Sequence, residues 1–308
     1  MKSYRYALAE ISRELRIYIT ILILQLAAGS LLHSQTSNWR QTNGPYGGVV
    51  NAIVSAAGGD VLVASGRLIY HLSGATRKWS LSLNHPSESI ETMAIGSTGN
   101  LFAATHGKGL YRSTDNGETW VRMNTSFAYL ELREVSVSPS GTIFVGIDGN
   151  YVFRSTDDGQ GWTYAAVTNQ ECRIRTISAD SSGFVVAGTD RGAYRSVTNG
   201  ASWIPSGLTG IGIGSSLIDL RGNIFLGTAM GIYRSTDRGS TWEPMNTGLG
   251  DSLDCCLFET HAGTIMAGTR SGIYSSTNEG QDWVSEGLEG VSIGVLAETP
   301  QYELFVGR

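Results

Sequence analysis

The chain has 308 residues, 40 of them glycine, with 41% hydrophobic and only 16% charged side chains and a formal net charge of −5 at pH 7. This excludes a disordered tail or a coiled coil, which need high charge and little apolar content, and describes a turn-dense chain that one large all-β domain can occupy. The acidic balance supplies no clustered Lys and Arg for phosphates, so no nucleic acid is expected as a partner.

The first segment reads as an export signal. Lys2, Arg5, Arg13 and Arg16 precede an apolar run from Ile17 to Leu32, broken by Thr20, Gln25 and Gly29-Ser30. The run is short for a spanning helix of about 20 residues and sits behind a positive flank, as in a secretory leader. Ala28-Gly29-Ser30 and Leu32-His33-Ser34 offer cleavage sites. Residues 1–34 are thus expected to leave a mature domain, 35–308, without a membrane span, in a secreted, periplasmic or cell-surface setting. Cleavage after Ser34 leaves 18 Lys and Arg against 25 Asp and Glu, a charge of −7. Export permits disulfides, yet Cys172, Cys255 and Cys256 show no CxxC spacing, and the reading is of three small buried hydrophobes.

Beyond the leader, all seven tryptophans share one register: Trp39, Trp79, Trp120, Trp162, Trp203, Trp242 and Trp283, spaced 39 to 42 residues apart. A period near 40 with several short strands per unit predicts a β-propeller, because one unit cannot bury both its faces alone. The second strand of each unit is an apolar run, as in Leu101-Phe102-Ala103 and Ile224-Phe225-Leu226, predicting burial between neighbouring blades. The third alternates apolar with Tyr or Arg, as in Gly231-Ile232-Tyr233-Arg234-Ser235, predicting a half-exposed strand. The last unit supplies a first strand from Val291 to Glu298 and a second from Glu303 to Gly307, then no third strand. Asn38 to Thr42 can serve as its outer strand, so the expectation is an all-β, seven-bladed propeller of four-stranded antiparallel blades, the seventh lacking its third strand, with residues near 29–37 partly filling the gap or the chain being a truncated gene product.

The turn after the third strand is the strongest motif. Ser113, Asp115, Gly117 and Trp120 recur as Ser155, Asp157, Gly159 and Trp162, and as Ser235, Asp237, Gly239 and Trp242. Asp is expected to cap backbone N–H groups, Gly to take positive φ, and Trp to plug the apolar space below. Thr198 and Asn278 replace the Asp in two further copies, and the copy from Ser73 to Trp79 is one residue short. This Ser-x-Asp-x-Gly-x-x-Trp text resembles the BNR or Asp-box repeat of sialidase-type propellers, in which the boxes are structural turns. No metal or cofactor is expected, since the liganding Glu of a calcium loop is missing. Gly210 to Gly214 lacks the βα context of a nucleotide loop.

Antiparallel order puts the boxes on one end of the ring and the loops between second and third strands on the other. There a binding set of His106, Lys108, Asp148, Asp190, Arg191 and Arg270 is expected to ring one end of the central channel, joined from the inter-blade loops by Tyr46, His85, Phe127, Tyr129 and Glu171. The resemblance implies two functions. Photosystem assembly-factor-like and sortilin-like propellers are similar and non-catalytic, implying a module that binds a protein, peptide or glycan; a monomer is expected. Sialidase-type and xyloglucan-active relatives imply a glycoside hydrolase, but the sialidase Arg-Ile-Pro segment is absent, Arg173-Ile174-Arg175 being the nearest text. Arg133, Arg175 and Arg221 are the candidates for the arginine triad such an enzyme needs. No catalytic residue is assigned.

Overall fold

The computed structural model describes residues 18–21, 39–42, 44, 48–85, 87–123, 127, 130–250 and 256–308. Six blades are four-stranded antiparallel sheets built from consecutive strands. After β1 (Tyr18–Ile21) and β2 (Trp39–Gln41), blade 1 is β3 (Val50–Ser55), β4 (Val61–Ser65), β5 (Leu68–Leu72) and β6 (Trp79–Asn84). Blade 2 is β7 (Ile90–Ile95), β8 (Leu101–Thr105), β9 (Gly109–Ser113) and β10 (Val121–Arg122); blade 3 is β11 (Leu132–Val137), β12 (Ile143–Ile147), β13 (Tyr151–Ser155) and β14 (Thr163–Ala166). Blade 4 is β15 (Ile174–Ala179), β16 (Val185–Thr189), β17 (Gly192–Ser196) and β18 (Ile204–Pro205); blade 5 is β19 (Ile213–Ile218), β20 (Ile224–Thr228), β21 (Gly231–Ser235) and β22 (Glu243–Pro244). Blade 6 is β23 (Cys256–Glu259), β24 (Ile265–Thr269), β25 (Gly272–Ser276) and β26 (Val284–Gly287).

The expected seven antiparallel blades are therefore six. The remaining sheet is of another kind: β27 (Val295–Glu298) and β28 (Glu303–Gly307) pair antiparallel, but the next position is taken by β1, parallel to β28 and to β2. Parallel neighbours need a connection of about a dozen residues or more to return to the starting end, and residues 22–38 supply that length. The third position is thus filled by a segment read from sequence as leader, and not left open. The rest of 1–34, the segment 29–37 and Cys255 lie outside the described residues.

The second strands β4, β8, β12, β16, β20 and β24 are buried at every residue, because each is covered on both faces. The apolar core is accordingly divided into clusters that each span two consecutive sheets, such as Leu110 and Phe102 of blade 2 with Leu132 and Val145 of blade 3. Burying Phe102, Phe144, Phe225 and Phe305, all essentially solvent-free, contributes about 1.5–3 kcal/mol each. Close approach of inner strands demands glycine late in the second strand: a Cβ on Gly188 would lie 2.5 Å from Ile213 Cγ2, and one on Gly307 2.6 Å from Val50 Cγ1. The latter contact, with Val50 N–H donating to the Arg308 carbonyl at 2.8 Å, joins the mixed sheet to blade 1 and closes the ring.

The turns after the third strands of blades 2 to 6 share one hydrogen-bond scheme. Ser113 Oγ accepts from Gly117 N–H at 2.9 Å and donates to Asp115 Oδ1 at 2.7 Å, while Asp115 Oδ1 accepts from Thr119 N–H at 2.9 Å. Hydrogen bonds from the Thr119 hydroxyl, the Thr119 N–H and Ser113 hold the Asp115 carboxyl down at about 2. The variant copies keep the scheme: Thr198 Oγ1 accepts from Ser202 N–H at 3.0 Å, and Asn278 Oδ1 from Asp282 N–H at 3.0 Å. Positive φ falls on two successive residues, Asn116 (59°) and Gly117 (87°), where the sequence reading had placed it on the glycine alone.

Two further ties cross the seams between blades. The indole N–H of Trp39 reaches the Glu286 carbonyl at 2.7 Å, that of Trp283 the Met245 carbonyl at 2.9 Å, and Trp242 makes the same bond to Ser206. In the opposite sense, the third-strand arginine reaches the next blade's turn: Arg154 donates to Asn199 O at 2.7 Å, Arg234 to Glu279 O at 2.9 Å, and Arg195 to Arg238 O. Blade 6 carries Ser275 at this position and bonds its own Glu286 instead, since the sheet that follows has no such turn to reach. Trp39 and Trp283 are buried, whereas Trp120, Trp162 and Trp242 are half-buried.

Trp283→Ala is expected to destabilise the domain by about 3–5 kcal/mol, the cost of removing a large buried aromatic; a denaturant midpoint equal to the parent's refutes the plug. Removing residues 1–34 leaves the Glu303–Gly307 backbone unpaired on its outer side. Hydrogen exchange at 304–306 then accelerates relative to Ile224–Thr228, and an unchanged rate refutes the β1 pairing.

Candidate functional site

The innermost strands carry a repeated irregularity. Register shifts fall between Val50 and Ala52, Ile90 and Thr92, Leu132 and Glu134, Ile174 and Thr176, and Ile213 and Ser215. A bulge re-aims the side chain it carries. Here the residues at the bulges are Asn51, Glu91, Arg133, Arg175 and Gly214, at the end of the ring opposite the Asp115 and Asp157 turns. The two ends are distinguished by contacts: Asn100, from the turn between first and second strands, bonds Asp158 in the turn between third and fourth at 3.0 Å, while Asp148 bonds groups at the other end.

At that mouth a ladder of charges runs across blades 2, 3 and 4. Arg133 Nη1 meets Glu91 Oε2 at 3.3 Å, and Arg133 Nη2 donates to Asp148 Oδ2 at 2.9 Å. Asp148 Oδ1 accepts from Arg173 Nε at 2.9 Å, and Arg173 N–H donates to Asp190 Oδ1 at 3.0 Å. His106 Nε2 stands 3.3 Å from Glu131 Oε2, which also faces Arg133. Burial raises the Asp148 pKa, but the hydrogen bond and charge of Arg133, with Arg173 beside it, outweigh burial and hold this carboxyl below its ordinary range. Arg133 mirrors it: burial opposes its charge, and Asp148, Glu91 and Glu131 raise its pKa nonetheless.

The structure thus gathers His106, Asp148 and Asp190 of the sequence set. Arg191 instead ties its loop to the segment before β15, Nε donating to the Glu171 carbonyl at 2.7 Å, and Lys108 contributes its carbonyl to Arg122 at 2.8 Å. Arg270 lies on blade 6, away from the ladder. His85 and Phe127 are structural. His85 Nδ1 accepts from Glu88 N–H at 3.0 Å, so Nε2 carries the proton toward Tyr111 Oη, 3.0 Å away, and desolvation lowers its pKa. Phe127 is wholly buried between Phe153 and Trp162, and Tyr46 and Tyr129 lie outside the described residues. The arginines proposed for a sialidase triad do not converge: Arg133 and Arg175 stand at the mouth, while Arg221 binds Glu279 at the opposite end. Sequence reasoning missed Glu91 and Glu131, whose signal was the polar residue recurring beside the first apolar residue of each inner strand.

Glu134 was missed as well. It follows the bulge at Arg133, is half-buried, and accepts a hydrogen bond from Ile177 N–H of the next blade. Desolvation pushes its carboxyl up to about 8 against that single opposing bond, so it holds a proton near neutrality. Cys172 and Cys256 are equally removed from chemistry, burial pushing their thiols up to about 11 and about 12. Among the described residues no three His, Cys, Asp or Glu side chains converge as metal ligands, and no helix is long and apolar enough to cross a membrane.

Architecturally the protein is a β-propeller, and its structural neighbours are propellers too. No family model matches the chain, and no curated protein matches its sequence. The GH74 enzyme of Niastella koreensis has 17% identity and a TM-score of 0.69 over 85% of this chain and 51% of its own, so the chain spans about half the length of that enzyme. YCF48 from Cyanidioschyzon merolae has 16% identity and a TM-score of 0.64 over 86% and 94% of the two chains. Virginiamycin B lyase from Staphylococcus aureus has 14% identity and a TM-score of 0.67 over 84% and 94%. At such identities the likeness is one of fold.

The unfolded Glu134 titrates near 4.5 and the folded one near 8, so the native state holds the proton more tightly. Its contribution to stability is complete below 4.5 and vanishes as pH rises through 8. The Tm of the parent minus that of Glu134→Gln should therefore fall between about pH 5 and 9; a constant difference refutes a protonated Glu134.

Proposed function

We propose that this chain is an exported, monomeric, non-catalytic Asp-box propeller that holds a protein, peptide or glycan partner against the mouth of its channel. The carrying observation is the Glu91–Arg133–Asp148–Arg173–Asp190 ladder, a preorganised array of donors and acceptors spanning three blades. Asp148 is held ionised by Arg133 and Arg173, which suits recognition and disqualifies it as a general acid. YCF48, one of the structural neighbours, has been seen bound to a D1 peptide, which supports a peptide-holding role for this architecture by analogy of fold alone. Export belongs to this reading; cleavage after Ser34 would also withdraw β1 from between β2 and β28 and leave both strands unpaired on that side.

The second reading is a glycoside hydrolase: a GH74 enzyme is among the structural neighbours, and Glu134, set against Ile177 N–H with its carboxyl pushed up by burial, would be the general acid. The deciding experiment screens the full chain on a peptide array and a glycan array, with sialoside and xyloglucan hydrolysis measured in parallel. Binding is expected without hydrolysis, and Arg133→Met should weaken it at least about tenfold, the effect of breaking a charge-assisted contact. Turnover abolished by Glu134→Gln establishes the hydrolase instead.

A further inference from the structure

At the seam between blades 2 and 3 both ties are altered, whereas at the next seam only the indole tie is missing, Trp203 Nε1 having no partner while Arg154 keeps its bond to Asn199 O. Trp162 donates its indole N–H to Gly159 O of its own turn at 3.0 Å, and not to the preceding blade. Arg112 is drawn to the Asp158 carboxylate, where Arg154, Arg195 and Arg234 bond the backbone carbonyl of the corresponding residue. Asn100 Nδ2 holds both Asp158 oxygens, at 3.2 and 3.0 Å, and the guanidinium stands on the same carboxylate. At this seam the structure opens a cavity of about 390 Å³, on the end of the ring away from the charge ladder.

The lining is mixed in a particular way. Arg112 and Asp158 neutralise each other, so the cavity has no charge to offer a carboxylate, a phosphate or an ammonium. Thr114, Thr119 and Gln160 add hydroxyl and amide groups, and Val121, largely exposed, with Met123 forms an apolar patch. Paired donors and acceptors beside an apolar patch match a pyranose, whose hydroxyls both donate and accept while its C–H face is apolar. The volume lies within the range of small-ligand sites.

The same side of blade 3 continues as a file of rings. Phe127 packs on Trp162 (4.8 Å between centroids) and on Phe153 (4.7 Å), Phe153 on Tyr164 (5.3 Å), and Tyr164 on Tyr151 (5.6 Å). The file ends in solvent: Tyr164 is 66% exposed and Tyr151 40% exposed. Exposed rings backed by buried ones are rigid surfaces for stacking at low entropic cost.

We propose that the seam between blades 2 and 3 is a binding site for a neutral oligosaccharide, one sugar unit seated in the cavity at Arg112, Asp158 and Gln160 and the chain extending over Tyr164. The site is separate from the mouth and does not rest on the function proposed for it. The test titrates the full chain by calorimetry with cellohexaose, mannohexaose and xylohexaose, alongside a random peptide array. One hexaose is expected to bind at one site per chain. Val121→Arg, on an exposed edge position, should abolish binding with Tm unchanged, and Gln160→Ala should weaken it at least tenfold. Gln281→Ala, the matching position two seams beyond the next, should bind like the parent. Tyr164→Ala should weaken the hexaose and leave the disaccharide of the same sugar unaffected. Absence of binding by all three sugars, retention by Val121→Arg, or capture of peptides that Val121→Arg abolishes overturns the proposal; a Tyr164→Ala chain that binds the hexaose like the parent overturns its extension over the tyrosine.

Discussion

A four-stranded sheet with apolar side chains on both faces has no stable existence in water until both faces are covered, and every other feature of this molecule follows from how that cover is arranged. The fully buried second strands are the constraint in its barest form: their side chains pack into seams that belong to two sheets at once. Glycine at Gly188 and Gly307 lets the inner strands come close enough to seal the seam near the channel. Tryptophan and arginine seal it farther out, one reaching back to the preceding sheet and the other forward to the following turn.

This division of labour accounts for where chemistry can reside. The seams are occupied by packing, and the turn carboxylates are consumed by backbone N–H groups, as the lowered pKa of Asp157, held first by Gly161 N–H and then by Ser155, records. What remains are bulged residues at the opposite mouth, released from the ladder of strand hydrogen bonds, and any seam where the ties are exchanged for others. The charge ladder is the first case and the cavity beside Arg112 the second.

The sequence showed the architecture plainly because period, burial and turn chemistry are each local and repeated. Seven tryptophans in register, apolar second strands and the Ser-x-Asp-x-Gly turns each stated the same unit. The closing sheet was legible only in part. That β27 and β28 lack a continuing antiparallel strand can be seen from residue order, but the parallel entry of Tyr18–Ile21 depends on which apolar segment finds the open edge, and nothing local encodes it. The site was less legible still. His106, Asp148 and Asp190 could be placed on one end from strand order, whereas the arginines that organise them, Arg133 and Arg173, belong to the starts of inner strands and reach across blades. Glu134 looks like an ordinary polar strand residue until the next blade's Ile177 stands against it.

The arginine ties also have a direction. Arg154, Arg195 and Arg234 each grasp a turn 43 to 45 residues further along the chain, so each blade presents a ready contact to the one made after it. Loop closure over such distances costs about 2 kcal/mol more than within a hairpin, because the entropy grows only logarithmically with length. The bond from Trp39 to Glu286 spans 247 residues. The six antiparallel blades are each built from consecutive strands and tied to their neighbours in chain order, whereas the mixed sheet draws its strands from far apart in the sequence. Without that sheet the outer faces of blade 1 and blade 6 are two unlike sticky ends, and intermolecular joining of one chain's blade 6 to another's blade 1 is the error this topology invites.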